Sequence, residues 1–227
     1  MGKEPTVFKQ LFSALKGSST LDEAFDEFGQ MLDHAAWMFG QANDVLNRVA
    51  TADDARDGLY NRDKSVNQLL RSIRRKVVRH LTINPGIDVG ASLALLSIAS
   101  DAERIGDYCK NVFEVARFYR DDFGVARYHE PLEKIREEVT GLFVTVRKAF
   151  DDSDASLAKD AIDQIGEIRS RCDLIIEQLL LDESGVQTHE AVAYSLLARH
   201  YKRVAAHISN ICSALRGNVE ELGFHRG

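Results

Sequence analysis

Two carboxylates four residues apart, Glu103 and Asp107, are the sharpest chemical feature of the sequence. On a helix turning about 100° per residue they lie about 40° apart on one face. Like charges at that spacing repel by about 0.2–0.5 kcal/mol when exposed, so a compensating positive charge is expected beside them. Oxygen donors of this kind suit hard cations such as Mg²⁺, Ca²⁺ or Mn²⁺, and iron where the geometry allows. Glu114 lies seven residues past Asp107, roughly in line with it, and Asp63 is a further acid that a neighbouring helix could bring across. The alternative is a solvated acidic face tied by ion pairs to Arg104, Lys110 or Arg117. Spacing alone favours that alternative, because ExxxD is a frequent chance match.

A second constellation is basic. Arg71, Arg74, Arg75 and Arg79 form a stripe on one side of a helix, while Leu70, Ile73, Val77 and Leu81 form the other. An anionic partner could dock on such a stripe: an acidic protein face, phospholipid headgroups or nucleic acid. The alternative is a solvated face paired with acids of adjacent helices. The formal net charge of −6 argues against a general nucleic-acid binder.

Other reactive residue types give little. His200 and His207 lie on nearly the same helix face, where a soft-metal site competes with two satisfied histidines. Cys109, Cys172 and Cys212 are odd in number and far apart, with no CxxC and no zinc-type spacing. They read as small buried hydrophobes in a reducing, cytoplasm-like compartment. No GxxxxGK[ST], GxSxG, HExxH or GxGxxG occurs, so the sequence reads as a non-enzyme.

Long helices must position these groups. With only 3 Pro and 15 Gly in 227 residues, and 44% hydrophobic residues, the chain has few breakers and ample material for a core. Apolar residues recur every three or four positions in six segments. The first starts at a cap near Thr20 and ends near Val49. The second follows the cap Thr51 and stops at Asn84-Pro85-Gly86. The third begins at Asp88 and ends between Asp121 and Gly124, and Pro131 falls within or just after the first turn of the fourth. The fifth spans about 155–181 and the sixth about 188–222. Ahead of them, Val7, Phe8, Leu11, Phe12 and Leu15 make one amphipathic stripe, expected to pack on its own protein rather than on a membrane or a partner. No run reaches the roughly 20 apolar residues that span a bilayer.

The segments divide three and three. Short turns between long helices force antiparallel neighbours. The expectation is an all-α protein of two tandem antiparallel three-helix bundles, over 20–123 and 128–222, behind an amphipathic leader over 1–19. An internal repeat supports the division: Arg104, Ile105, Asn111 and Val112 align with Arg203, Val204, Asn210 and Ile211 at an offset of 99 residues.

The run Asp101-Ala-Glu103-Arg104-Ile105-Gly106-Asp107-Tyr108-Cys-Lys-Asn111 resembles the signature of the PhoU family of phosphate-uptake regulators. Asp63-Lys-Ser-Val66-Asn67 resembles its first-repeat pattern less specifically. The resemblance covers about residues 20–220 and implies tandem PhoU domains. It implies a regulator of phosphate uptake and signalling that works by protein–protein interaction. The implied partners are a phosphate ABC transporter ATPase, a sensor histidine kinase, or both. A homodimer, a cytoplasmic location and membrane association only through partners also follow from it. It implies a metal ion (Fe, Mn, Mg or Zn) at Glu103 and Asp107, with Asp63 a weaker ligand. The second repeat departs from this pattern, since Lys202 and Ala206 stand where the two acids would be. A metal-binding helical-bundle sensor and an accessory subunit of a different phosphate transporter are the alternatives.

Overall fold

A computed structural model describes residues 19–181 and 185–216. Six α-helices cross these residues: α1 (Ser19–Leu46), α2 (Ala52–Ile83), α3 (Val89–Phe118), α4 (Ala126–Asp151), α5 (Ala155–Leu181) and α6 (Thr188–Leu215). The leader, residues 1–18, and the end of the sixth segment beyond residue 216 lie outside the described residues. No helix among the described residues is long and apolar enough to cross a membrane.

Helix starts follow local chemistry. The Thr51 hydroxyl accepts the Asp54 N–H at 3.2 Å, and Asp53 and Asp54 place negative charge at the α2 N-terminus. Asp154 Oδ1 accepts from the N–H groups of Ser156 and Leu157 at 2.9 and 3.0 Å, opening α5. Two other starts lack a side-chain cap. Asp88 opens α3 as expected, but it is left-handed (φ 55°) and its carboxylate turns back to His80 Nε2 at 3.2 Å rather than to the helix N-terminus. Pro131 sits just past the first turn of α4, five residues after Ala126, where it was expected. Lacking an N–H, it cannot donate to the carbonyl of Arg127.

Within the first bundle α1 packs on α2 and α3, and α2 packs on α3; α4, α5 and α6 repeat this. The bundles then join through like elements, α1 on α4 and α3 on α6. Phe28 meets Phe150 at a ring separation of 4.9 Å, and Phe39 meets Phe143 at 5.4 Å and Tyr201 at 5.6 Å. Early α1 thus faces late α4, so the pair is antiparallel. These side chains are fully or almost fully buried, and burying each Phe contributes up to about 3 kcal/mol. The result is one continuous apolar core spanning both bundles.

The chain passes between bundles through residues 119–125, which α6 holds in place. Glu190 Oε1 accepts the Gly124 N–H at 2.7 Å and the Val125 N–H at 3.3 Å. The Tyr194 hydroxyl donates to the Val125 carbonyl at 3.3 Å. These bonds satisfy backbone groups that would otherwise be orphaned as the chain turns.

Candidate functional site

Glu103 and Asp107 sit one turn apart on α3, and Asp63 reaches the same patch from α2. The structure brings Asp63 and Asp107 together through a lysine. Lys110 Nζ lies 2.9 Å from Asp63 Oδ1 and 2.9 Å from Asp107 Oδ1. Arg104 Nη1 stands 3.4 Å from Asp107 Oδ2, and its Nε stands 3.8 Å from Glu103 Oε2. Glu114 is exposed. Arg117 lies over the Phe118 ring, 5.2 Å from its centroid.

The electrostatics follow this packing. Burial alone would lower the Lys110 pKa, but its hydrogen bonds to Asp63 and Asp107 hold it above the ordinary lysine value. The Glu103 carboxyl is pushed above its ordinary value, first by burial and then by the neighbouring Asp107. Among the described residues no group of three or more His, Cys, Asp or Glu could hold a metal ion. The carboxylates as arranged do not fit a divalent ion, because an ammonium, which has no lone pair to offer, stands between two of the three.

Arg71, Arg74, Arg75 and Arg79 are exposed on α2. Arg74 Nη2 donates to Ser100 Oγ at 3.4 Å; the other three make no ion pair with the described residues. Lys76, in the same run, turns inward to Glu23 at 2.9 Å and Glu27 at 3.0 Å on α1. Val78, between the arginines, is 63% exposed.

A family model described as PhoU domain matches the chain twice, over residues 23–116 and 132–215. The chain belongs to the PhoU family. It is 26% identical over 183 residues to a protein of Thermotoga maritima named phosphate-specific transport system accessory protein PhoU homolog 1, covering 75% of each chain. It is 29% identical over 101 residues to a PhoU homolog of the same system from Caulobacter vibrioides, covering 44% of this chain and 41% of that protein. The fold matches the crystal structure of the phosphate transport system regulatory protein PhoU from Streptococcus pneumoniae. The TM-score is 0.73 at 19% identity, over 91% of this chain and 100% of that one.

The two PhoU units are chemically unequal. In the second, Lys202 grips both carboxylate oxygens of Asp173 on α5, at 2.6 Å to Oδ2, and Ala206 is buried at 4% exposure. The histidines fall at the seam of the two units. His207 Nδ1 lies 2.7 Å from Asp101 Oδ1, which also accepts from Asn210 Nδ2 at 2.8 Å. Tyr108 stacks on His207 at 5.7 Å and meets His200 at 6.0 Å, and its hydroxyl accepts from Arg203 Nε at 3.0 Å. Burial pushes the His200 pKa down to about 4, with Arg199 adding to it. Asp101, Tyr108, Arg203 and Asn210 were not legible as one cluster. The sequence signal was the 99-residue offset, which maps Asp101 onto His200 and Tyr108 onto His207. The contact Asp101–His207 is thus the repeat image of His200–Tyr108.

Proposed function

We propose that this PhoU protein is a cytoplasmic, non-catalytic regulator of phosphate uptake and phosphate signalling that works by docking onto partner proteins. The duplicated PhoU unit carries this reading, together with relatives named as accessory proteins of a phosphate-specific transport system. The partners are the ATPase of a phosphate ABC transporter, a sensor histidine kinase, or both, and the working form is a homodimer. The docking surface is the arginine stripe of α2. Arg71, Arg75 and Arg79 are exposed and make no ion pair with the described residues, so their charge is available to an acidic partner face.

Deletion of the gene should change phosphate uptake or the phosphate-starvation response. Wild-type protein should restore it, and the Arg71→Gln/Arg75→Gln/Arg79→Gln variant should not, while keeping the wild-type melting temperature. Unchanged uptake and signalling in the deletion strain would defeat the proposal. Co-purification with a secondary phosphate permease, in place of the ATPase and kinase, would assign the protein to a different transporter.

A further inference from the structure

We infer that lysine ammonium groups brace both PhoU units of this chain at the positions where the acidic motif would otherwise need a metal ion. Lys110 serves the first unit and Lys202 the second.

The first brace is direct. Lys110 projects from α3 and reaches Asp63 on α2 and Asp107 one turn back on its own helix, each at 2.9 Å. Lys110, Asp63 and Asp107 are 21%, 17% and 33% exposed at the side chain, so water screens the contacts only in part. Arg104 supplies a second positive charge to Asp107. The two aspartates therefore meet two cations, which offset the repulsion between Asp63 and Asp107.

The second brace is built differently and arrives at the same joint. Lys202 stands at the 99-residue repeat image of Glu103 and holds Asp173 with both carboxylate oxygens. Asp173 lies on α5, the counterpart of α2, so in each unit an ammonium from the third helix grips an aspartate of the second. Ala206, the image of Asp107, offers no donor atom. A metal in the second unit would have neither acid of the motif.

A divalent ion in the first unit would have to expel Lys110. Mg²⁺ binds carboxylate oxygen at about 2.0–2.1 Å, and the ammonium bound to the same oxygens would be pressed against it as a like charge. The lysine has no lone pair with which to join the coordination shell. The braces need no metal supply and are indifferent to chelators.

The test uses the full chain purified without chelator. Metal content is measured by elemental analysis, and melting is followed with EDTA, Mn²⁺, Mg²⁺ and anaerobic Fe²⁺. Wild type should carry far less than one metal per chain and melt at the same temperature in every condition. Lys110→Met should melt several degrees lower, and Lys110→Arg should keep most of the wild-type value, because a guanidinium can still bridge two carboxylates. Lys202→Met should lose less, since Asp173 is 57% exposed. Stoichiometric metal in wild type that disappears in Asp107→Asn would overturn the inference, as would a Lys110→Met protein that melts like wild type. Should Lys110→Met fail to fold, wild-type metal content and the Lys110→Arg melt still decide.

Discussion

His207 on α6 places its Nδ1 2.7 Å from Asp101 Oδ1 on α3, and this contact crosses from one PhoU unit to the other. Both residues are almost fully buried, at 8% and 9% exposure. Asp101 also accepts from Asn210, so one carboxylate holds two donors of the opposite unit. Asp101→Ala removes the shared acceptor and leaves buried polar groups unsatisfied, at a cost of about 1–3 kcal/mol. For a chain of this size that lowers the melting temperature by about 2–4 °C per kcal/mol. Thermal denaturation beside Asp121→Ala, which removes an exposed ion pair with His189, checks it. Equal melts for the two variants would contradict a stabilising role for Asp101.

His200 should make stability pH-dependent. Its folded pKa of about 4 lies below the ordinary histidine value. Between those values the unfolded chain binds a proton that the folded chain refuses, so stability falls as pH drops from about 6.5 towards 4. His200 is partly exposed, and screening reduces the effect to about 1–2 kcal/mol. Denaturant unfolding from pH 7 to 4.5 should show a steeper decline for wild type than for His200→Gln. Parallel curves would show that burial does not suppress protonation of this ring.

Glu103 and Asp63 should respond oppositely to neutralisation. The Glu103 carboxyl is raised above its unfolded value by burial and Asp107. Its charge therefore costs stability, and the cost sets in as pH rises through the unfolded carboxyl pKa and is complete above the folded one. Glu103→Gln should leave stability at pH 7 unchanged or raise it by up to about 1 kcal/mol. Asp63→Asn takes a charged partner from Lys110 and should lower stability by about 1–2 kcal/mol. Melts at pH 7 compare the two directly, and a large loss in Glu103→Gln would refute the assignment.

The thiols should be inert while the protein is folded. Cys109, Cys172 and Cys212 are fully buried and free. Burial pushes Cys172 and Cys212 up to about 12, and Cys109 higher still, so none carries appreciable thiolate near neutrality. A disulfide reagent at pH 8 should titrate none of them in native protein and all three in denaturant. Rapid reaction in native protein would show that one of these helices opens locally.

Six helices and their three-and-three division were legible because helical periodicity is local and the Asn84-Pro85-Gly86 and Asp154 breaks act within a few residues. The exact first residue of α4, Ala126, was not, because no side chain caps it. Pro131 can sit inside a helix when surrounding packing outweighs one lost hydrogen bond, and Tyr128 upstream of it is fully buried. For the candidate site, residue spacing was enough to put Glu103 and Asp107 on one face and to show that Lys202 and Ala206 break the second motif. Helix packing was needed to show that Lys110, rather than Arg117, joins Asp107 to Asp63. The same packing sets Lys202 against Asp173 and brings Asp101 to His207. The difference is one of range. Backbone geometry fixes which residues share a helix face, whereas which residues meet across the 106 positions from Asp101 to His207 depends on how two whole units dock.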